Sequence, residues 1–287
     1  MFNVLPLKKV VLIAIILLTG YFANAQTPYD AHPEWSAPYQ PFRIAGNLYY
    51  VGTYDLACYL ITTSEGNILI NTGLPASADM IIKNIETLGF KPADIRILLT
   101  TQAHHDHMSG TAAIQRLTGA KMMVDRGDSS VVADGGKSDY AHLSTYEPVK
   151  IDRLLKNGDT ISLGDARLVM LHHPGHTKGS CSYLFDVKDD QRSYRVLIAN
   201  MPSIVIEKKF SEISAYPQIA SDYAYTLREM KKLTFDIWLA SHASQFKLQT
   251  KHTPGDKYNP AAFMDKAGYD EALNKLQLIY TDKMSRE

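Results

Sequence analysis

In the first half of the chain, apolar residues recur at short intervals between turn signals. Residues 48–52, 58–63 and 67–71 read as consecutive strands, the last two joined by the turn Ser64-Glu65-Gly66. The period then lengthens. Ile81, Ile85 and Leu88 fall on one face of a helix, with Ser77 as its N-cap and Gly89 as its stop. Pro92 breaks the chain ahead of an apolar strand over 95–101. A helix over 110–117, ended by Gly119, and a strand over 121–124 follow. An antiparallel opening that passes into strand-helix alternation predicts an α/β sheet.

The second half runs in the same order. Strands are predicted at 160–163, 166–171, 180–186 and 194–199, with a Gly164-Asp165 turn between the first two. A helix near 222–233, a strand over 235–240 and a C-terminal helix bearing Leu273, Leu276 and Tyr280 close the chain. There is no repeat of residue identity, yet the order suggests two similar αβ halves with their sheets packed around one shared core. Two stretches carry no period. Residues 26–41, rich in proline and aromatic residues such as Trp35 and Tyr39, predict an arm laid on the domain. Residues 134–148, with Gly135-Gly136, Tyr140 and Tyr146, fit either a functional lid or a plain surface insertion.

A chain of 287 residues with 45% hydrophobic content can bury a core that needs no staples. Its formal net charge of zero gives no reason to expect nucleic acid or an acidic membrane as partner. At the N-terminus, Lys8 and Lys9 precede an apolar run over 10–18, and Ala23-Asn24-Ala25 offers the small-x-small pattern of a cleavage site. These features predict a signal peptide over 1–25, a mature single domain over 26–287, and a periplasmic or extracellular location. The apolar run falls short of the roughly 20 residues that span a bilayer, so no stable membrane association is expected after cleavage. Cys58 and Cys181, the two cysteines, lie in strand-like apolar stretches; two buried free thiols are expected, although an oxidising compartment would permit pairing.

Candidate chemistry gathers at predicted strand ends. The strand over 95–101 runs into Gln102-Ala103-His104-His105-Asp106-His107, and a strand that delivers imidazoles and a carboxylate into a loop can aim them at one spot. Neutral imidazole with carboxylate suits zinc. The strand over 166–171 runs into His172-His173-Pro174-Gly175-His176-Thr177, whose proline and glycine force a turn that presents His176. The strand over 235–240 runs into Ser241-His242-Ala243, whereas the one over 194–199 runs into Asn200-Met201-Pro202-Ser203 and offers no metal ligand. His105, His172 and His173 are expected to pack or to be satisfied locally. Of His32, His142 and His252, only His142, in the 134–148 stretch, is placed to meet substrate.

These motifs resemble the metallo-β-lactamase fold family, and within it the subclass B3 zinc β-lactamases. The family pattern H-x-H-x-D-H matches Gln102 to His107 except at its first residue. Glutamine at that position, with Asn71-Thr72-Gly73 and Ser241-His242-Ala243-Ser244-Gln245-Phe246, is similar to the GOB-like branch. The resemblance implies an α/β, four-layer αβ/βα sandwich that hydrolyses the amide of penicillins, cephalosporins and carbapenems through hydroxide generated on zinc, giving antibiotic resistance. It assigns Gln102, His104 and His176 to one zinc, and Asp106, His107 and His242 to the other. Asp106 would also orient the nucleophile, and Ser203 would bind the substrate carboxylate. The set with a carboxylate and two imidazoles should hold zinc more tightly than the set with a neutral amide, which allows activity with one metal. Asn71 and Met201 depart from the aspartate and serine usual in the subclass. The expected partner is a small β-lactam, and the expected state a monomer. Two rivals stand beside this reading: an exported hydrolase of another ester or lactone on the same fold, and a degenerate metal-binding protein without activity. The first is weakened by the apolar Asn200-Met201 slot, where related hydrolases supply a bridging aspartate.

Overall fold

Two mixed sheets carry the architecture of the computed structural model, which describes residues 32–287; the predicted signal peptide over 1–25 and residues 26–31 lie outside them. The first sheet has seven strands in chain order: β1 (Phe42–Ala45), β2 (Leu48–Tyr50), β3 (Tyr59–Thr63), β4 (Gly66–Ile70), β5 (Ile95–Leu99), β6 (Lys121–Asp125) and β7 (Ile151–Leu155). Pairing is antiparallel from β1 to β4 and parallel from β4 to β7. The second sheet has five: β8 (Thr160–Leu163), β9 (Ala166–His172), β10 (Cys181–Lys188), β11 (Ser193–Ala199) and β12 (Ile237–Ala240), antiparallel until the last pair, which is parallel. Both halves thus pass from hairpins to a crossover, as the hydrophobic pattern predicts.

The strand period of two divides the core. Tyr59, Ile61, Ile68, Ile70 and Leu99 face the second sheet and pack with Leu168, Met170, Tyr183 and Val196. Their neighbours Leu60, Leu69 and Leu98 point the other way, onto Ile81 and Ile85 of α1 (Ser77–Thr87) and Ile114 of α3 (Thr111–Thr118). On the far face of the second sheet lie α5 (Ile219–Met230) and α7 (Lys266–Met284), whose Leu227, Met230, Tyr269 and Leu273 pack with Trp238 of β12. Helix, sheet, sheet and helix make four layers, an αβ/βα sandwich.

The expected elements occur with small shifts at their ends. Ser77 begins α1 rather than capping it; its hydroxyl accepts the N–H of Leu74, three residues upstream, at 3.1 Å. Several short elements have no counterpart in the pattern, and three of them border the sheets. They are β1, which follows Pro41 directly; β7, whose Asp152 and Arg153 break any alternation; and α4 (Ser129–Asp134), a six-residue helix within the stretch after β6. Both cysteines are buried free thiols, as expected. Among the described residues, no helix is long and apolar enough to cross a membrane.

Candidate metal centre

The ligand-type side chains all leave strand ends along one rim of the sandwich. Gln102 and His104 follow β5, and Asp106 and His107 sit in the single turn α2 (His105–Met108). His176 lies in the turn between β9 and β10, and His242 follows β12. Directly after β4, Asn71 adopts a left-handed backbone (φ 63°), which asparagine tolerates better than most residues. Its Oδ1 accepts the N–H of Thr101 at 2.9 Å while its Nδ2 donates to the carbonyl of Ala57 at 3.2 Å. It therefore clamps the chain after β5 one residue before Gln102. In the turn between β9 and β10, Gly175 has φ +128°, and a Cβ there would sit 2.9 Å from the Tyr223 ring. Only glycine fits there without displacing that ring.

The side chains assemble as two sets. His104 Nδ1 and His176 Nε2 face each other at 3.1 Å, with their rings nearly edge-on. Gln102 is buried, and its Oε1 has no hydrogen-bond partner among the described residues. In the other set, Asp106 Oδ2 lies 3.1 Å from His107 Nε2 and 3.3 Å from His242 Nε2, and the donor atoms of all three residues fall within 4.8 Å of one another. Tetrahedral zinc with bonds of about 2.0–2.1 Å places its ligand atoms about 3.3 Å apart. The residues fit such an ion: nitrogen and oxygen donors are gathered at that spacing, and a buried amide oxygen is left bare, an arrangement costly in a dry interior without a cation.

Two of the four imidazoles are oriented by a hydrogen-bonded acceptor, a third has a carboxylate nearby, and His107 Nδ1 has no hydrogen-bond partner among the described residues. His176 Nδ1 donates to the Ser203 carbonyl at 2.8 Å, with the Ser203 hydroxyl at 3.2 Å, which leaves Nε2 bare toward His104. His242 Nδ1 bonds Asp55 Oδ2 at 2.9 Å, which leaves its Nε2 toward Asp106. Asp139 Oδ1 sits 3.6 Å from His104 Nε2, the nitrogen opposite the one that faces His176. A carbonyl or carboxylate in this position fixes the tautomer and raises the basicity of a ligand imidazole.

Electrostatics follow the same division. Burial pulls His242 down, but Asp106 and Asp55 outweigh it and raise the imidazole to about 9. Burial raises Asp55 while His242 and Ser244 outweigh it, holding the carboxyl at about 2. Asp106 is likewise pushed up by burial and pulled further down by His107 and His242, ending well below the usual carboxylate range. His176, with burial and His104 both acting against its cation, falls to about 3. One set is thus a carboxylate surrounded by imidazoles, and the other a pair of imidazoles in which His176 stays neutral.

Asp128 braces the two ligand loops. Its Oδ2 accepts the N–H of Ala103 at 2.9 Å and the hydroxyl of Thr177 at 2.7 Å, and its Oδ1 accepts the N–H of Gly179 at 2.7 Å. Residues 134–148 act with it. Tyr146 donates to the carbonyl of Ala103 at 2.7 Å, and Tyr140 to that of His176 at 2.9 Å, so this stretch is a bracket fastened to both ligand loops. The described part of the arm, from His32, reaches the site: the Trp35 ring lies 5.7 Å from that of His242 and 6.2 Å from that of His105, with His32 stacked on it at 4.4 Å.

The other histidines have separate surroundings. His172 pairs with Asp125 at 2.8 Å, and His173 with the Ser182 hydroxyl at 2.7 Å. His252 stacks on Phe42 at 3.5 Å. His142 has a left-handed backbone and borders a surface groove with Tyr140 and Ile213. Met201 is buried at the end of β11, with the Asn200 N–H donating to Ser182 at 3.1 Å.

Comparison with known proteins identifies the family. The metallo-beta-lactamase superfamily model matches residues 52–189. The structure of the class B3 di-zinc metallo-β-lactamase LRA-12 from an Alaskan soil metagenome is 66% identical, at a TM-score of 0.88, covering 90% of this chain and 98% of that one. The metallo-β-lactamase GOB-18 from Elizabethkingia meningoseptica is 57% identical at the same TM-score, covering 88% and 95%. Among curated relatives, a probable metallo-hydrolase from Burkholderia pseudomallei is 34% identical over 110 residues, and the chain spans only 36% of that relative's length and 38% of its own. The solved relatives share the whole sandwich, and by them the chain belongs to the subclass B3 metallo-β-lactamases.

Proposed function

We propose that the chain is an exported zinc β-lactamase that opens the four-membered amide ring of penicillins, cephalosporins and carbapenems and so gives antibiotic resistance. The observation that carries this reading is the three-donor set of Asp106, His107 and His242, with donor atoms within 4.8 Å of one another on a rim shared by both sheets. His107 and His242 would hold one zinc with Asp106, and His104 and His176 would hold a second, weaker one with Gln102. Bound zinc lowers the pKa of water to about 7 and offers positive charge where the ring nitrogen departs.

The remaining work falls to the chain's own groups. Asp106 stays ionised and accepts a hydrogen from the attacking water, which aims an oxygen lone pair at the carbonyl carbon. Asp55, through His242 Nδ1, keeps Nε2 free for the ion. The Ser203 hydroxyl, beside His176, donates to the substrate carboxylate. Trp35 covers one side of His242 and limits the approach of bulk water. Export would follow from a signal peptide over 1–25, with a mature monomer beginning at Gln26.

The test is made on protein from the periplasmic fraction. Its first residue should read Gln26, and it should hydrolyse a chromogenic cephalosporin, lose turnover to a chelator and regain it with zinc. Turnover of an acyl-homoserine lactone in place of the cephalosporin would move the chain to the lactonases, and no turnover with zinc bound would make it a metal-binding protein without this activity.

A further inference from the structure

Asp128 ends the short turn after β6 and is fully buried. Its two oxygens take three donors, the Ala103 N–H and the Thr177 hydroxyl on Oδ2 and the Gly179 N–H on Oδ1. Ala103 stands between Gln102 and His104, and Thr177 directly follows His176, so one side chain ties together the two loops that supply the weaker ligand set. A backbone N–H cannot reverse its role. An asparagine here would turn its amide nitrogen toward either Ala103 or Gly179, donor against donor, and leave one of them without an acceptor inside the protein. The position calls for a carboxylate.

Packing adds a second constraint on the same spacing. A Cβ on Gly179 would lie 2.3 Å from the Asp128 backbone nitrogen, so the turn after β6 presses on the His176 loop with no side chain between them. Bonds and contact together set how far His104 Nδ1 stands from His176 Nε2, which face each other at 3.1 Å. The other ligand set is tethered by different groups. The His107 carbonyl accepts the Thr72 N–H at 2.9 Å and the Thr72 hydroxyl at 3.1 Å. Asp55 accepts from His242 Nδ1 at 2.9 Å and from the Ser244 N–H at 2.8 Å. Neither tether involves Asp128.

From this division we infer that Asp128 is a positioning residue for the second metal ion: it fixes the distance between the Gln102–His104 loop and the His176 loop, and with it the metal affinity of that set alone. This rests on the two-metal part of the proposed function. Outer partners that orient ligand side chains are worth about 10–100-fold in metal affinity, and Asp128, which acts on the backbone beside the ligands, should fall near the lower end, about tenfold.

The probe is cadmium ion, followed by cadmium NMR, which reports the two sets as separate resonances. His176→Ala identifies the resonance of its own set by removing it. Asp128→Asn should displace or broaden that resonance and leave the other in place, and zinc affinity at that set, read by chelator competition, should fall about tenfold. Gly179→Ala keeps every donor and acceptor but wedges the loops apart, and should disturb the same resonance. Thr177→Val removes one donor and spares both backbone bonds; it should give a smaller fall at the same set, and it carries the test where Asp128→Asn does not fold. Equal loss at both sets in these variants would make Asp128 a general stabiliser and overturn the inference, as would no loss at either. Two wild-type resonances that all three variants leave alone overturn this inference only, whereas a wild type with no resonance that His176→Ala removes overturns the second metal and the inference together.

Discussion

The two ligand sets share a rim but differ in what they can do before any metal arrives. Around Asp106 a carboxylate stands 3.1 and 3.3 Å from two imidazole nitrogens, so opposite charges can compensate one another inside the protein. Around His104 and His176 two imidazoles meet at 3.1 Å beside a neutral amide whose oxygen is bare. The first set is stable in either state because a proton on His242 can stand in for the cation. In the second the anion, Asp139, stands behind His104 rather than among the donors, His176 is driven toward neutrality, and the amide oxygen is a weaker donor. The difference is one of charge supplied by the chain, and it sets the expected order of zinc affinity.

Removing that charge should have the largest effect. Asp106→Asn keeps the shape but takes away both the anionic ligand and the acceptor for water. Its kcat/KM on a chromogenic cephalosporin should fall by on the order of 10³, beyond the 10–100-fold typical of an outer partner, while thermal melting of the metal-free protein changes little by comparison. Equal activity would erase the distinction between the sets.

The converse substitution should sharpen it. Gln102→His gives the weaker set a third imidazole, and zinc affinity there should rise by about 10–100-fold in chelator competition. If wild type already holds two zincs equally tightly, and both are required, the asymmetry is wrong.

The smallest expected effect depends on pH. In the metal-free protein His242 is raised to about 9, so its protonated contacts with Asp106 and Asp55 contribute stability that is fully present below about 6.5 and lost as pH rises through about 9. The same proton competes with zinc, so affinity at this set should increase over that window. Asp55→Asn should flatten the increase, and an unchanged slope in a zinc titration across pH 6–9 would remove Asp55 from its orienting role.

Most of the sandwich was legible because long strands announce themselves by period and punctuation. The antiparallel-to-parallel order followed from the hairpin turns and from the helices after Ser77 and Gly110 in the first half and near 222–233 in the second. β1 and β7 escaped because they are short edge strands with charged residues, Arg43 and Asp152 with Arg153, where alternation carries little information. At the metal centre, the histidines and Asp106 were legible because four of the six positions are packed into Gln102 to His107. Asp55 and Asp128 were not. Each is a lone carboxylate in a turn, and their partners lie 187 and 49 or 51 positions further along the chain, so local spacing gives no sign of them. One signal was available for Asp128: it lies three residues past the end of a parallel strand, where open α/β sheets collect functional groups. Trp35 was legible only as part of an arm; what it covers depends on the folded path.

The ligand sets also straddle the seam between the sheets. Gln102, His104, Asp106 and His107 come from the first sheet, and His176 and His242 from the second. An ion held by either set is therefore gripped from both sides, like a rivet through two plates. Prying the plates apart and losing the ion are then a single event, so the rim that performs the chemistry is also a fastening, and metal supply becomes a determinant of how long the folded protein endures.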